Sequence, residues 1–288
     1  VRYAFIKAHQ EQFHLARLCR VLEVSKSGYY AWRDRAQSAR VGANSCLLAE
    51  IRRLHDAHFQ AYGALKTWRA LKAEGIQCGK HRVARLRREH GIEAKRTRRF
   101  RSIVEHHHTA APAADLIVRR FRAAQPDQAW VGDLTFIRTR QGWLYLAMLL
   151  DLFSRRVVGW AMGERPDEAL TLGALEMAIA QREPAPGLIH HTDQGVIYRS
   201  RTYRARLESL GMRASMGAKG SAHDNAVAES FFSNLKNELV HHCRFESREL
   251  ARAAIFSYVE LFYNRRRLHQ TLGYRTPMEF EQSYENGA

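Results

Sequence analysis

The sequence predicts an α/β protein: a mixed five-stranded sheet with helices on its faces, preceded by helix-turn-helix-type helical units. Three observations predict it. From residue 127 onward, short runs rich in β-branched and aromatic residues alternate with helical stretches. Residues 13–91 instead carry helical periodicity with repeated basic faces. The 288 residues hold 46 Lys and Arg against 29 Asp and Glu, a formal net charge of +17 that calls for a polyanionic partner, nucleic acid being the usual one.

Composition narrows the classes further. At 45% hydrophobic residues the chain is globular rather than disordered. No apolar run approaches ~20 residues, so no membrane association is expected; the longest, Trp143 to Phe153, reads as a buried strand. No secretory signal opens the chain, and Val1 is compatible with a non-Met start codon or a trimmed end. Cys19, Cys46, Cys78 and Cys243 lie far apart and read as reduced cytosolic thiols. His55, His58, Cys78 and His81 have finger-like spacings. The two histidines sit inside a helical pattern, however, and no second cysteine completes a common set, so no zinc is expected.

The front half divides into three stretches. Residues 1–44 form a helix-turn-helix-like segment: Leu15, Leu18, Val21 and Leu22 make a stripe, Val24 to Gly28 turn, and Tyr29, Tyr30 and Trp32 follow. An ordinary helical hairpin fits the same pattern. Residues 45–92 form a helical DNA-binding unit, with stripes at Leu47, Leu48, Ile51 and Leu54, at Leu65, Trp68 and Leu71, and at Val83 and Leu86. Its last helix carries Lys80, Arg82, Arg85, Arg87 and Arg88, which suits a major groove or simply a solvated face. Residues 93–126 read as a mobile basic linker, in which Lys95, Arg96, Arg98, Arg99 and Arg101 track phosphates; Leu116 to Ala123 is expected as a short helix.

Residues 127–245 form the core. Strands are expected at Ala129–Arg138, Leu144–Leu150 and Val157–Met162, joined by turns too short for anything but antiparallel pairing. A helix from Pro166 and Asp167 to Arg182, a strand at Leu188–His191, a helix at Ser200–Leu210 and a strand at Arg213–Met216 follow. The last element of the core is a helix, Asp224 to Val240, capped by Asp224 or Asn225. The order βββαβαβα is that of a ribonuclease-H-like fold. Residues 246–288 close the chain with an amphipathic helix, Glu249–Asn264, and a basic tail whose Arg265 and Arg266 suit phosphate or a plain basic surface.

Three carboxylates in this core are candidates for chemistry. Asp133 interrupts the first strand, where a charge is costly away from a site. Asp193 follows the fourth strand, at the end where crevices open in such sheets. Glu229 lies on the last helix, seven residues and about two turns before Lys236, while Phe231, Leu235 and Leu239 form a core stripe beside them. Phosphodiester hydrolysis or transfer needs charge neutralised on the attacking and leaving oxygens, which two Mg²⁺ ions bridged by two or three carboxylates achieve. Taken singly, Asp133 also fits a bulge, Asp193 a turn and Glu229 a solvated face.

The motifs WVGDLTFIRT, HTDQGVIY and DNAVAESFFSNLKNE resemble the DDE integrase core of bacterial insertion-sequence transposases. Between Asp193 and Glu229 stand 35 residues (229 − 193 − 1), the spacing of that family and of retroviral integrases. The flanking LCRVLEVSKSGYYAWR, AYGALKTWRALKAEGI, HRVARLRREHGI and YNRRRLHQTLGYRTPMEF extend the resemblance over nearly the whole chain, to the second-frame product of the IS-three family. Ala222-His223 stands where that family often has Cys-Trp, a departure in a loop.

The resemblance implies a magnesium-dependent polynucleotidyl transferase, Mn²⁺ substituting, with Asp133, Asp193 and Glu229 as catalytic metal ligands. It implies cleavage at the element's inverted-repeat ends and joining of the 3′ hydroxyl to target DNA by direct transesterification. A homo-multimer on DNA, at the nucleoid of a bacterial cytoplasm, is expected, and the family's frameshifting is compatible with an upstream frame that adds a DNA-binding segment. Lys236, Arg82, Arg85, Arg98, Arg99, Arg265 and Arg266 are the expected DNA contacts. The competing readings are a ribonuclease-H-like nuclease that cuts without joining and a non-catalytic DNA-binding regulator.

Overall fold

The computed structural model describes residues 1–35, 38–95, 113–117, 123–217 and 225–287. These divide into two compact units, Val1–Glu50 and Ile51–Ala288.

The first unit packs three short helices, α1 (Arg2–His9), α2 (Leu15–Val21) and α3 (Lys26–Arg33), around Ile6, Leu18, Cys19 and Tyr29. The Ser25 side chain caps α3 by accepting from the Gly28 amide at 3.0 Å. Any side chain at Gly28 would collide with the Tyr3 hydroxyl, so glycine lets α1 lie close. The periodicity misjudged one residue and missed one helix. Val21 is 71% exposed, leaving Leu15, Leu18 and Leu22 as the inward stripe, and α1, which closes the core with Tyr3 and Ile6, was not expected.

In the second unit, α4 (Ala39–Ala57, which also reaches back into the first), α5 (Ala64–Ala73) and α6 (Lys80–Glu89) form the helical part. Leu54, Leu71, Val83 and Leu86 are buried as their spacing requires, but Leu65 faces outward and Thr67 and Ala70 face in. This part packs on the C-terminal segment: the Tyr62 hydroxyl donates to the Arg266 carbonyl and accepts from the Leu268 amide, both at 2.8 Å, and Phe59 stacks against Tyr258 and Phe262. Arg87, on the basic helix, is buried and donates to Thr67 Oγ1 and the Tyr62 carbonyl, so it is structural.

The sheet runs in the order β3-β2-β1-β4-β5, from β1 (Ala129–Thr139), β2 (Gly142–Asp151), β3 (Val157–Gly163), β4 (Ile189–Thr192) and β5 (Arg213–Met216). β1–β2 and β2–β3 are antiparallel, β1–β4 and β4–β5 parallel, which makes the sheet mixed. β2 is buried almost throughout, consistent with its unbroken apolar run. α7 (Glu168–Arg182), N-capped by Asp167, covers one face with α8 (Arg201–Ser209), burying Leu170, Ala174, Ala178, Tyr203 and Leu207 against Trp130, Ala147 and Leu149. β3 meets α7 at Gly159, where a Cβ would strike the Ala174 carbonyl.

α9 (Ala226–Glu238) contacts β1. After it, α10 (Arg248–Phe256) passes into a π-helical stretch, Ser257–Tyr263, where a single amphipathic α-helix was expected. The wider turn keeps Tyr258, Val259, Phe262 and Tyr263 all buried. α11 (Pro277–Glu285) starts with a capping box between Thr276 and Glu279. Its Glu281, almost fully buried, pairs with Arg182 at the end of α7, and Arg182 also holds Asp127 at 2.6 Å. The expected linker is anchored where it is described. The Lys95 ammonium donates to the Glu238 carbonyl at 2.8 Å, and the Leu116 amide to Ser215 Oγ at 2.9 Å. Leu116 and Ile117 form a bend rather than a helix start; residues 118–122 lie outside the described residues. Among the described residues no helix is long and apolar enough to cross a membrane.

Candidate active site

Asp133 and Asp193 are brought together by strand register. β1 and β4 pair in parallel as Ala129↔Ile189, Trp130↔His190 and Val131↔His191. Carried two residues further, that register sets Asp133 level with Asp193, which lies just past the end of β4. Neighbouring strands are about 4.8 Å apart, so the two carboxylates stand close at an end of the sheet. Gly132 allows the approach: a Cβ there would come within 2.9 Å of the buried His190 ring. That ring is held by the Tyr203 hydroxyl at 2.8 Å, and burial, then His191, push it down to about 3, so it stays neutral. His191 is likewise buried, against Ser215 Oγ at 2.8 Å. The histidines flanking Asp193 are thus parts of the core.

Glu229 lies in the first turn of α9, exposed, where the positive end of the helix favours a carboxylate. Lys236 is in the last turn, half-buried, with its ammonium 5.1 Å from the centre of the Phe136 ring. Phe231, Leu235 and Leu239 are buried as their spacing requires. The start of α9 differs from expectation. Asn225 takes the N-cap position but its side chain makes no cap bond. It is buried instead and donates to the Gly132 carbonyl at 3.3 Å, tying the helix to the strand position next to Asp133. Asp224, the other expected cap, lies outside the described residues.

The electrostatics join these groups. Burial first, then the charge of Asp193, push the half-buried Asp133 carboxyl up to about 8; Glu229 adds to the rise. The Leu134 amide, donating at 2.7 Å, and Lys236 oppose it. Burial lowers the Lys236 ammonium, and Asp133 partly restores it. The three carboxylates therefore repel one another around Asp133, a donor set of hard oxygens suited to divalent cations. Among the described residues no three His, Cys, Asp or Glu side chains close around one point as a single-ion cage requires.

Sequence reasoning passed over Tyr198. It is buried, its hydroxyl is held well above its usual range by burial, Tyr203, Asp133 and Asp193, and it packs behind Gly195, whose amide donates to Asp193 Oδ1 at 2.9 Å. The Gly195–Tyr198 spacing after Asp193 was the available signal. Of the expected DNA contacts, Arg265 and Arg266 are exposed, Arg82 is half-buried and Arg85 pairs with Glu89 at 3.2 Å. Arg98 and Arg99 lie outside the described residues.

This architecture, an acidic sheet end faced by a helical glutamate, is that of an integrase core. Residues 123–222 and 229–284 each match a family described as Integrase core domain, and residues 43–100 match the HTH-like domain family. Over 287 residues the chain is 40% identical to the transposase InsF for insertion sequence IS3A of Escherichia coli (strain K12), covering 98% of each. Over 271 residues it is 40% identical to the insertion element IS600 uncharacterized 31 kDa protein of Shigella sonnei, covering 94% of this chain and 100% of that one. The chain belongs to the IS3 family of insertion-sequence transposases. A solved HTLV-2 integrase catalytic core domain in complex with magnesium is 19% identical, with a TM-score of 0.43 over 56% of this chain and 99% of that one.

Proposed function

We propose that the protein cleaves the ends of its insertion sequence and joins the freed 3′ hydroxyl to target DNA, with Asp133, Asp193 and Glu229 as the metal-holding carboxylates. The observation that carries this reading is the crowding of negative charge on Asp133. A half-buried carboxyl pushed up to about 8 by burial and by two acidic neighbours is poorly stable as an anion alone. Bound divalent ions relieve that repulsion. Magnesium keeps several waters, so two or three carboxylates would be enough to hold it and no three-ligand cage is needed.

Two Mg²⁺ or Mn²⁺ ions, when bound, neutralise the phosphate and make the attacking oxygen more acidic. The protein supplies position and charge. Asp133 and Asp193 on the sheet end and Glu229 on α9 would hold the ions, which would supply charge neutralisation at the scissile phosphate. Lys236 contributes positive charge to the DNA backbone. In the first step water adds to phosphorus, the P–O3′ bond breaks, and the 3′ oxygen leaves with a proton. In the second that 3′ hydroxyl adds to a target phosphorus and displaces the target's 3′ oxygen. Each step forms one P–O bond and breaks one, so no covalent protein–DNA intermediate is required. Arg82, Arg85, Arg98, Arg99, Arg265 and Arg266 are the proposed further DNA contacts. Pairing two ends implies a homo-multimer on DNA, and we place its work at the bacterial nucleoid.

The test is strand joining in vitro on DNA carrying the encoding element's terminal repeats. Asp133→Asn and Glu229→Gln are each expected to lower cleavage and joining on the order of a thousand-fold or more, since metal charge stabilisation is worth several kcal/mol, while repeat binding survives. Unchanged joining in both variants rejects the site. Cleavage without joined product by the unmutated protein assigns a nuclease, and repeat binding with neither assigns a regulator.

A further inference from the structure

At the hairpin joining β1 to β2, Phe136 and Trp143 stand in edge-to-face contact, centroids 5.1 Å apart, and each is 44% exposed. Single exposed apolar side chains are ordinary; four features set this pair apart. It is two rings in contact rather than one. The Lys236 ammonium sits 5.1 Å from the Phe136 ring centre, and Arg138, exposed, pairs across the hairpin with Trp143. Phe136 is three residues along β1 from Asp133, roughly 10 Å at strand rise but on the opposite face of the strand, and Lys236, whose ammonium also feels the Asp133 charge, links the two.

The fourth feature is rigidity. Thr139 Oγ1 donates to the Gly142 carbonyl at 2.7 Å inside the turn. Thr139 bridges to Phe245, and the Arg140 amide donates to the Phe245 carbonyl at 3.0 Å. The Arg248 amide donates to Gln141 Oε1 at 3.0 Å, and its guanidinium to the Trp143 carbonyl at 3.1 Å. A hairpin braced from outside at four points presents open aromatic surface at little ordering cost on binding.

We propose that Phe136 and Trp143 form a stacking platform for an unpaired nucleobase of the DNA strand led into the carboxylate site. Every base has a π-face, so stacking is tolerant of sequence, while the cations beside the rings meet the adjoining phosphates. The proposal includes local opening of the duplex at the strand end, where the platform holds the base released. The proposal rests on the functional reading above for its location, but its test reads binding alone.

The full-length protein is titrated, in EDTA at fixed salt, with fluorescein-labelled (dT)12 and with a 12-mer of equal phosphate count carrying abasic sites, by fluorescence anisotropy. Trp143→Ala and Phe136→Ala are each expected to weaken (dT)12 binding about ten-fold, the range of one base–aromatic stack, and to leave the abasic 12-mer unchanged. Trp143→Phe retains most of the preference. Lys236→Ala weakens both oligonucleotides alike. Preference for (dT)12 that survives both alanine variants overturns the platform. The same result accompanied by an altered oligomeric state in light scattering overturns it in favour of a protein interface. If the unmutated protein joins no ends yet shows the Trp143-dependent preference, the functional reading fails and the platform stands.

Discussion

Asp133 is the residue at which fold and chemistry meet. Its carboxyl is pushed from the ordinary 3.8 up to about 8 by burial and then by Asp193. The folded state thus holds a proton that the unfolded chain has lost over most of that range. In the absence of a cation this group favours the fold below pH ~4, and that contribution is lost as the pH climbs through about 8. A bound Mg²⁺ needs the anion and so expels the proton. Magnesium binding at pH 7 is expected to release close to one proton, with release falling towards zero well above pH 8. Calorimetry in two buffers of different ionisation enthalpy measures it, and Asp133→Asn should abolish it. Binding with no proton exchange at pH 7 would show that Asp133 is already ionised. The three proposed ligands stood out in the sequence only as carboxylates in special places, each with a plain structural alternative. What periodicity could not show was Asn225 bonded to the Gly132 carbonyl or Tyr198 set against two carboxylates, because both depend on distant segments meeting.

At the level of elements, the strands were legible because β1 to β3 are largely apolar runs between short turns, rich in β-branched and aromatic residues in β1 and in leucine in β2. α1 was not, since RYAFIKAH buries only Ile6 fully and shows no repeating stripe. The π-helical stretch was hidden for a related reason: apolar residues at 255, 258, 259, 262 and 263 fit an ordinary α-helix equally well. The arginine run after it also divides in a way that spacing does not reveal. Arg265 and Arg266 are exposed, whereas Arg267 is buried, paired with Glu238 at 2.7 Å, with the Tyr258 hydroxyl on the same carboxylate. Removing one member of a buried pair leaves the other charge stranded, at about 3–5 kcal/mol. Arg267→Ala is expected to destabilise by that amount and Arg265→Ala by less than ~0.5 kcal/mol, read from urea midpoints. Equal midpoints would mean that the end of α9 is not fastened by this pair.

For the molecule as a whole, the net charge of +17 calls for a polyanionic partner, which composition alone disclosed. Each phosphate neutralised adds about 0.9 to the steepness with which log affinity falls against log salt. Arg265→Ala with Arg266→Ala is expected to reduce that slope by about 2 for duplex binding; an unchanged slope would place these side chains away from the backbone. Less visible from composition was how much of the chain forms one body. Residues 45–92 read as a separate unit and 93–126 as a mobile linker, yet Tyr62 and Lys95 bond to segments more than a hundred residues away, and Arg87 holds the Tyr62 carbonyl. Such long-range bonds leave no periodic trace.

Glu281, in α11, fastens Arg182 and through it Asp127 at the threshold of β1. A premature stop falling ahead of Glu281 therefore removes a keystone of the sheet rather than a dispensable fringe. A genomic copy so shortened would lose its own enzyme while keeping intact DNA termini, and would travel only when an undamaged sibling copy supplied the protein.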